Sequence, residues 1–254
     1  MISDCASCGL FSVTQDSEEC VHTNRPGGLI VTERAFALCG FPAQAHILDV
    51  ACGTGATVNY LADKPGLKAL GMDRSGKALA GAQSEPARLN LLRGDVLRIP
   101  IAPGYFDGVF MECALSLTFE PLHCLVEIMR VLKPGGKIVL TDIYLREVIG
   151  DNFKQVISVS TCLAGAMTQE EVENLIAAAG LRTLAWEDHT ALLKQWMVGQ
   201  IFRLGSITKV FCQLSAEKAQ NEEYAQALNH IRLGYYLAIF EKPLALETPE
   251  VNDG

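Results

Sequence analysis

Along the chain, short continuous apolar runs alternate with stretches whose apolar positions recur three and four residues apart. Leu29, Ile30, Phe36 and Leu38, interrupted by Thr32, Glu33 and Arg34, fit an amphipathic helix over 29–38 that Gly40 and Pro42 bring to a stop. Runs at 46–51, 67–72, 89–92, 107–111 and 137–144 are short, bounded by turn residues, and read as strands. Between them, the patterns from 52–55 to about 62, over 75–82 and over 122–132 read as helices. Downstream, Thr168 followed by Glu170 and Glu171 marks the start of a helix that Gly180 closes. A sixth strand is expected over 181–186, two helices broken near Gly205 over 191–231, and a last strand over 234–240. Apolar strands alternating with helices predict an α/β fold, its parallel sheet covered on both faces.

Three of the strands end in an acid. The first runs Ile47-Leu48-Asp49-Val50-Ala51 into Cys52-Gly53-Thr54-Gly55, the second ends at Asp73, and the third ends in Gly94-Asp95. Glycines at a strand-to-helix turn let backbone approach a ligand closely, because no Cβ stands in the way. In open α/β sheets the ligand lies beyond the carboxyl ends of the strands, where all three acids are expected. A dinucleotide fingerprint needs a third small residue after its two glycines, and Thr57-Val58 stand there instead. Asp49, inside the strand before the turn, would repel a pyrophosphate and suits a ligand bearing an ammonium group. Asp73 is placed to accept ribose hydroxyls, and Asp95 to meet an adenine amino group. Ala51, Arg74, Val96 and Glu112, at the same strand ends, complete the expected cofactor-binding set with Asp49, Gly53, Gly55, Asp73 and Asp95.

Charge and composition narrow the class further. The 254 residues hold 21 Lys and Arg against 29 Asp and Glu, a formal charge of −8 that argues against nucleic acid or an anionic membrane as partner. No secretory pattern opens the chain, and no apolar run reaches the ~18–20 residues that span a bilayer, so a cytoplasmic protein is expected. Nine cysteines, an odd number, read as free thiols in a reducing compartment. The chain divides into a Cys-containing leader (1–27), one domain (28–243) and a loose tail (244–254). The turn Arg25-Pro26-Gly27-Gly28 either folds over the cofactor as a lid, with Arg25 bringing a charge, or merely joins leader to helix.

Over about residues 28–242 the sequence resembles the class I S-adenosylmethionine-dependent methyltransferases. The matching segments are LDVACGTG (48–55), GMDRS (71–75), GDVLRIPIAPGYFDGV (94–109) and LKPGGKIVLTD (132–142). The resemblance implies a Rossmann-like sheet of seven strands, mostly parallel, with helices on both faces. Its last strand would be antiparallel and inserted beside the fifth. It also implies that Asp49 and the 53–55 loop hold the methionine end of S-adenosylmethionine, that Asp73 binds ribose, and that Asp95 and Val96 bracket adenine. Glu112, His123 and His22 are candidate general bases, needed only if the acceptor must lose a proton. A narrower resemblance, to arsenite methyltransferases, rests on Glu112-Cys113-Ala114-Leu115-Ser116-Leu117, Ser160-Thr161-Cys162-Leu163-Ala164-Gly165-Ala166 and Asp142-Ile143-Tyr144. In that family two cysteines at these places bind trivalent arsenic. Cys113 and Cys162 are therefore candidate substrate ligands, with Cys5, Cys8 or Cys20 supplying a third thiolate; no other metal site is expected. The reading from sequence is a small-molecule methyltransferase. An oxygen, nitrogen or carbon acceptor is the alternative, as is a protein that binds the cofactor without turnover.

Overall fold

The computed structural model describes residues 25–82, 89–147, 162–163, 165–206, 210 and 231–244. After α1 (Leu29–Cys39), the chain runs β1 (His46–Val50), α2 (Ala56–Ala62), β2 (Lys68–Asp73), α3 (Gly76–Ala82) and β3 (Leu91–Arg93). It continues through β4 (Phe106–Glu112), a 3-10 turn (Leu115–Leu117), α4 (Pro121–Val131) and β5 (Leu132–Leu145). The later elements are α5 (Gln169–Ala178), β6 (Arg182–Asp188), α6 (Thr190–Leu204) and β7 (Leu233–Glu241). The expected leader up to 24, the tail from 245 and the second helix expected after Gly205 lie outside the described residues.

The seven strands order as β3-β2-β1-β4-β5-β7-β6. Only β7 runs antiparallel to its neighbours, and it lies between β5 and β6 as the resemblance implies. The winding reverses between β1 and β4, which pair in parallel from Ile47↔Gly108 to Val50↔Met111. Helices that leave two adjacent strand tips in opposite directions open a crevice there, the usual ligand position in such sheets.

Alternation along the strands sorts the core into two layers. Ile47, Phe110, Val139, Ile143, Tyr235, Leu237 and Ile239 face one side, beneath residues of α1, α2 and α6. Leu48, Val50, Val109, Met111, Ile138, Leu140 and Tyr236 face the other, against α4 and α5. Continuing that period of two, Asp49, Glu112 and Thr141 fall on the first side, under α1. One boundary moved. β5 begins at Leu132 and not 137, because Leu132 pairs with Phe106 before Lys133–Gly136 bulge out and pairing resumes at Gly108↔Lys137.

Two contacts lock the sheet's C-terminal edge. Gly234 pairs with Tyr144, whose ring occupies the space a side chain would fill: a Cβ there would sit 2.1 Å from the ring. That ring is itself held edge-on to Trp186 and Tyr236, with its hydroxyl 3.3 Å from Asp188 Oδ2. Gly234→Ala should therefore cost about 1–3 kcal/mol of overpacking, read by chemical denaturation, and a stability equal to wild type would contradict this packing. The other lock is Asp142. Its Oδ2 accepts Ser116 N–H (2.9 Å), and its Oδ1 accepts the Ser116 hydroxyl (2.9 Å) and Ile143 N–H (2.8 Å), so it fixes the turn after β4. Burial pushes the Asp142 carboxyl up to about 6 against those hydrogen bonds, from an ordinary value of 3.8. The folded protein thus holds this proton more tightly than the unfolded one. Its contribution to stability grows as pH falls through 6 and is complete below about 4. The stability difference between wild type and Asp142→Asn should rise by about 2 kcal/mol from pH 7 to pH 4. A difference independent of pH would reject the assignment.

Candidate active site

The crevice is built from strand tips inward. β1 delivers Asp49, whose residue is only 4% exposed, and among the described residues no group hydrogen-bonds its carboxylate. Burial pushes that carboxyl well above its ordinary value, with Glu112 and Asp73 adding to the rise and Arg25 opposing it. Such a carboxylate favours a cationic neighbour, since an opposite charge offsets the cost of ionising it out of water. Next in the chain, Ala51 (φ 56°) and Gly53 (φ 55°) adopt left-handed backbone as β1 turns toward α2. A Cβ on Gly53 would meet no protein atom within 4 Å, so its bare face looks onto open space. Gly55 differs: there a Cβ would press on Leu89 at 2.8 Å, which makes its smallness a packing requirement.

Asp73, at the tip of β2, accepts Gly53 N–H on Oδ2 (2.9 Å) and Ser75 N–H on Oδ1 (2.8 Å). It therefore fixes the glycine loop, and each oxygen can still accept a further hydrogen bond. Arg74 is exposed, and its carbonyl accepts Arg93 Nε–H at 3.1 Å. Asp95 is exposed and caps its own turn by accepting Leu97 N–H (3.0 Å), while Val96 packs part-buried against the α4 side of the core. Strands β1, β2 and β3 thus bring Asp49, Asp73 and the Asp95–Val96 turn to one edge of the sheet, as the spacing predicts.

Glu112, at the tip of β4, is held on every side. Oε1 accepts the Thr32 hydroxyl (2.9 Å), and Oε2 accepts the Thr57 hydroxyl (2.5 Å) and faces Arg25 Nη1 at 2.8 Å. Both threonine hydroxyls accept in turn from Arg25 Nη2, at 2.6 and 2.9 Å, so the guanidinium and carboxylate close a ring through them. Arg25 Nε–H reaches Gly28 O at 3.2 Å. Sequence reasoning missed Thr32 and Thr57. The signal was there for Thr32, a polar residue among the apolar positions of α1 that proves fully buried.

Beyond Glu112 the chain turns sharply at Cys113 (φ 53°). The Cys113 Sγ lies 3.2 Å from Tyr235 Oη, and that hydroxyl donates to Thr141 Oγ1 at 3.1 Å. Tyr235 was also unforeseen, because its partners come from strands far away in sequence. Cys162 is buried in the same apolar cluster as Cys113 and Tyr235, with Leu163, Leu193 and the flanking Leu117 and Trp196. Close packing brings the two cysteine segments together: a Cβ on Gly165 would lie 2.0 Å from Ser116 O. Burial pushes the Cys113 thiol up to about 12, with Asp142 adding to the rise and the Tyr235 hydrogen bond opposing it. Of the candidate bases, His123 is exposed beside Glu120, and His22 lies outside the described residues. No disulfide joins the five described cysteines, and no described cluster of His, Cys, Asp or Glu could hold a metal ion. No helix among the described residues is long and apolar enough to cross a membrane.

Comparison with known proteins agrees with this geometry. A family model described as a methyltransferase domain matches residues 43–180, more than half of the chain. The chain is 35% identical over 133 residues to a demethylmenaquinone methyltransferase of Renibacterium salmoninarum, covering 52% of this chain and 53% of that one. It is 28% identical over 162 residues to an arsenite methyltransferase of Aquipseudomonas alcaligenes, covering 56% and 47%. The chain thus spans about half the length of these curated relatives. Among solved structures, phosphoethanolamine N-methyltransferase 2 of Haemonchus contortus, in complex with S-adenosylmethionine, superposes with a TM-score of 0.67 at 21% identity. That match covers 87% of this chain and 54% of the other. The chain belongs to the methyltransferase domain family and is a class I S-adenosylmethionine-dependent methyltransferase.

Proposed function

We propose that this methyltransferase acts on a small, soft acceptor, with trivalent arsenic as its substrate, held between Cys113 and Cys162. The observation that carries the reading is the burial of both thiols in one cluster beside the β1/β4 crevice, on two segments packed backbone to backbone. Thiolates are the ligands a soft centre prefers. A Cys113 thiol that burial keeps protonated at rest is compatible with this role. When arsenous acid condenses with a thiol, the arsenic–sulfur bond replaces an arsenic–oxygen bond, and the thiol proton leaves with the hydroxide as water.

The residues present fit the cofactor. The Asp49 carboxylate, without a hydrogen-bond partner among the described residues, suits the methionine ammonium group, and the open face of Gly53 admits the ligand against the backbone. Asp73 is assigned to the ribose hydroxyls, and Asp95 with Val96 to the adenine. When bound, the cofactor supplies an electrophilic methyl group on a sulfonium that is already a good leaving group. The protein's part is then alignment, which accounts for up to about 7–11 kcal/mol in well-oriented reactions. An arsenic lone pair needs no proton removed, and Glu112 is committed to its ring while His123 faces solvent. An oxygen or carbon acceptor is the second reading, favoured by the apolar and aromatic walls of the cluster and by the Tyr235 hydroxyl within it.

Asp73→Ala should weaken S-adenosylmethionine binding by about 1–3 kcal/mol in calorimetry, through lost ribose hydrogen bonds and a freed Gly53 loop; undiminished affinity would reject the assignment. For the acceptor, the measurement is release of S-adenosylhomocysteine with arsenite and with phenol, quinol, amine and thiol acceptors. Arsenite-dependent release is expected from wild type and is lost in Cys162→Ser with cofactor affinity intact. Turnover only with an oxygen or carbon acceptor would replace arsenic by the second reading.

A further inference from the structure

The residues that hold the cofactor account for the tips of β1 and β2, but not for the cation buried beside them. Arg25 comes from the turn ahead of α1, and its side chain is 12% exposed. It touches Thr57, two residues past Gly55 in the first turn of α2, and Glu112 at the tip of β4. Those two side chains, hydrogen-bonded to each other, come from the elements flanking the β1/β4 switch, the first turn of α2 and the tip of β4, so one guanidinium ties the N-terminal turn to both. Behind it the turn is built to stay down. Gly28 N–H bonds to Arg25 O at 3.1 Å, and Gly27 and Gly28 both take positive φ (73° and 54°). At Gly27 a Cβ would lie 2.7 Å from Leu192 of α6, so the turn is pressed between that helix and the crevice.

A donor count explains why arginine stands here. Four N–H groups are spent, on Gly28 O, Thr32, Thr57 and Glu112, in a fork that a single ammonium group cannot reproduce. The same contacts give Glu112 three partners and leave Asp49 without a hydrogen-bonded partner among the described residues. We propose that Arg25 is a positioning residue for the cofactor: it latches the N-terminal turn across the crevice by binding Thr57 and Glu112, and by neutralising Glu112 it reserves Asp49 for the ligand's ammonium group. This rests on the cofactor assignment above and adds a retention device to it. Closing a turn over a bound ligand acts on escape more than on entry.

The test measures dissociation rates and Kd of both S-adenosylmethionine and S-adenosylhomocysteine for the full-length chain. Arg25→Met should raise both Kd values about tenfold or more, chiefly through faster dissociation. Both ligands should be affected alike, because each carries the ammonium group and only one carries the sulfonium. Arg25→Met combined with Glu112→Met should lose little more than either change alone, since the two residues act through one ring. Thr57→Val, which removes one strand of the fork without altering charge, should speed dissociation to a smaller degree. If Arg25→Met does not fold, Arg25→Lys and Thr57→Val carry the test, with faster dissociation expected from both. Variants that lower the melting temperature yet release both ligands at the wild-type rate would overturn the latch and leave Arg25 a merely structural residue. A wild-type chain that binds neither ligand would instead remove the cofactor assignment, a distinct result.

Discussion

The structure turns on two carboxylates taken out of water side by side. Asp49 and Glu112 sit on neighbouring strands, on the same face of the sheet, at the point where the winding reverses. Two buried like charges are costly unless something compensates them. The fold compensates one with Arg25 and two threonine hydroxyls and leaves the other to be balanced by what binds. From that division follow the position of α1, which carries Thr32, the placement of Thr57 at the first turn of α2, and the docking of the 25–28 turn over the crevice. On the cofactor assignment proposed above, the ammonium of S-adenosylmethionine would balance the Asp49 carboxylate, which no described group hydrogen-bonds.

How far this was legible in the sequence depends on how local each interaction is. Strands, the glycine turn and the acids at strand tips follow from periodicities of two and about 3.6 residues and from the conformational needs of Gly53 and Gly55. They stand out along the chain, as does the capping box of Thr168 and Glu171 at the start of α5. The ring around Glu112 was not readable in the same way. Its members lie 7, 32 and 80 residues apart in sequence pairs, and they meet only because α1 is rotated to bury Thr32. By pattern alone Thr32, Glu33 and Arg34 were one polar interruption. In the fold Thr32 is buried while Glu33 and Arg34 face water, and the difference is set by tertiary packing.

Tyr235 shows the same limit from another side. It enters the site only because β7 inserts antiparallel between β5 and β6, which places Tyr235 opposite Ile143 and its hydroxyl against Thr141 and Cys113. A two-residue alternation says that Tyr235 and Tyr236 face opposite sides of a strand. Which side is the crevice depends on a pairing about 90 residues distant in sequence. The cysteines lie between these cases: Cys113 and Cys162 were marked as a pair by resemblance, and the fold buries both in one apolar cluster with their segments packed together.

Backbone strain marks the same place independently of charge. Of the non-glycine residues with positive φ among those described, Ala51 and Cys113 are each the first residue past a strand, β1 and β4, on either side of the winding reversal. The third, Gln44, lies in the connection ahead of β1. A left-handed conformation costs an ordinary residue about 1–2 kcal/mol, and it persists only where surrounding contacts over-determine it. Those contacts are identifiable here. Cys52 N–H is tied to Met72 O and Cys113 N–H to Thr141 O, so each chain is bent at once toward the neighbouring strand. Bending both tips outward keeps the backbone of 51–53 and 113 from closing over the gap between β1 and β4. The two chains are therefore directed apart at the β1/β4 switch by the fold itself, which is where the proposed Arg25 latch would act.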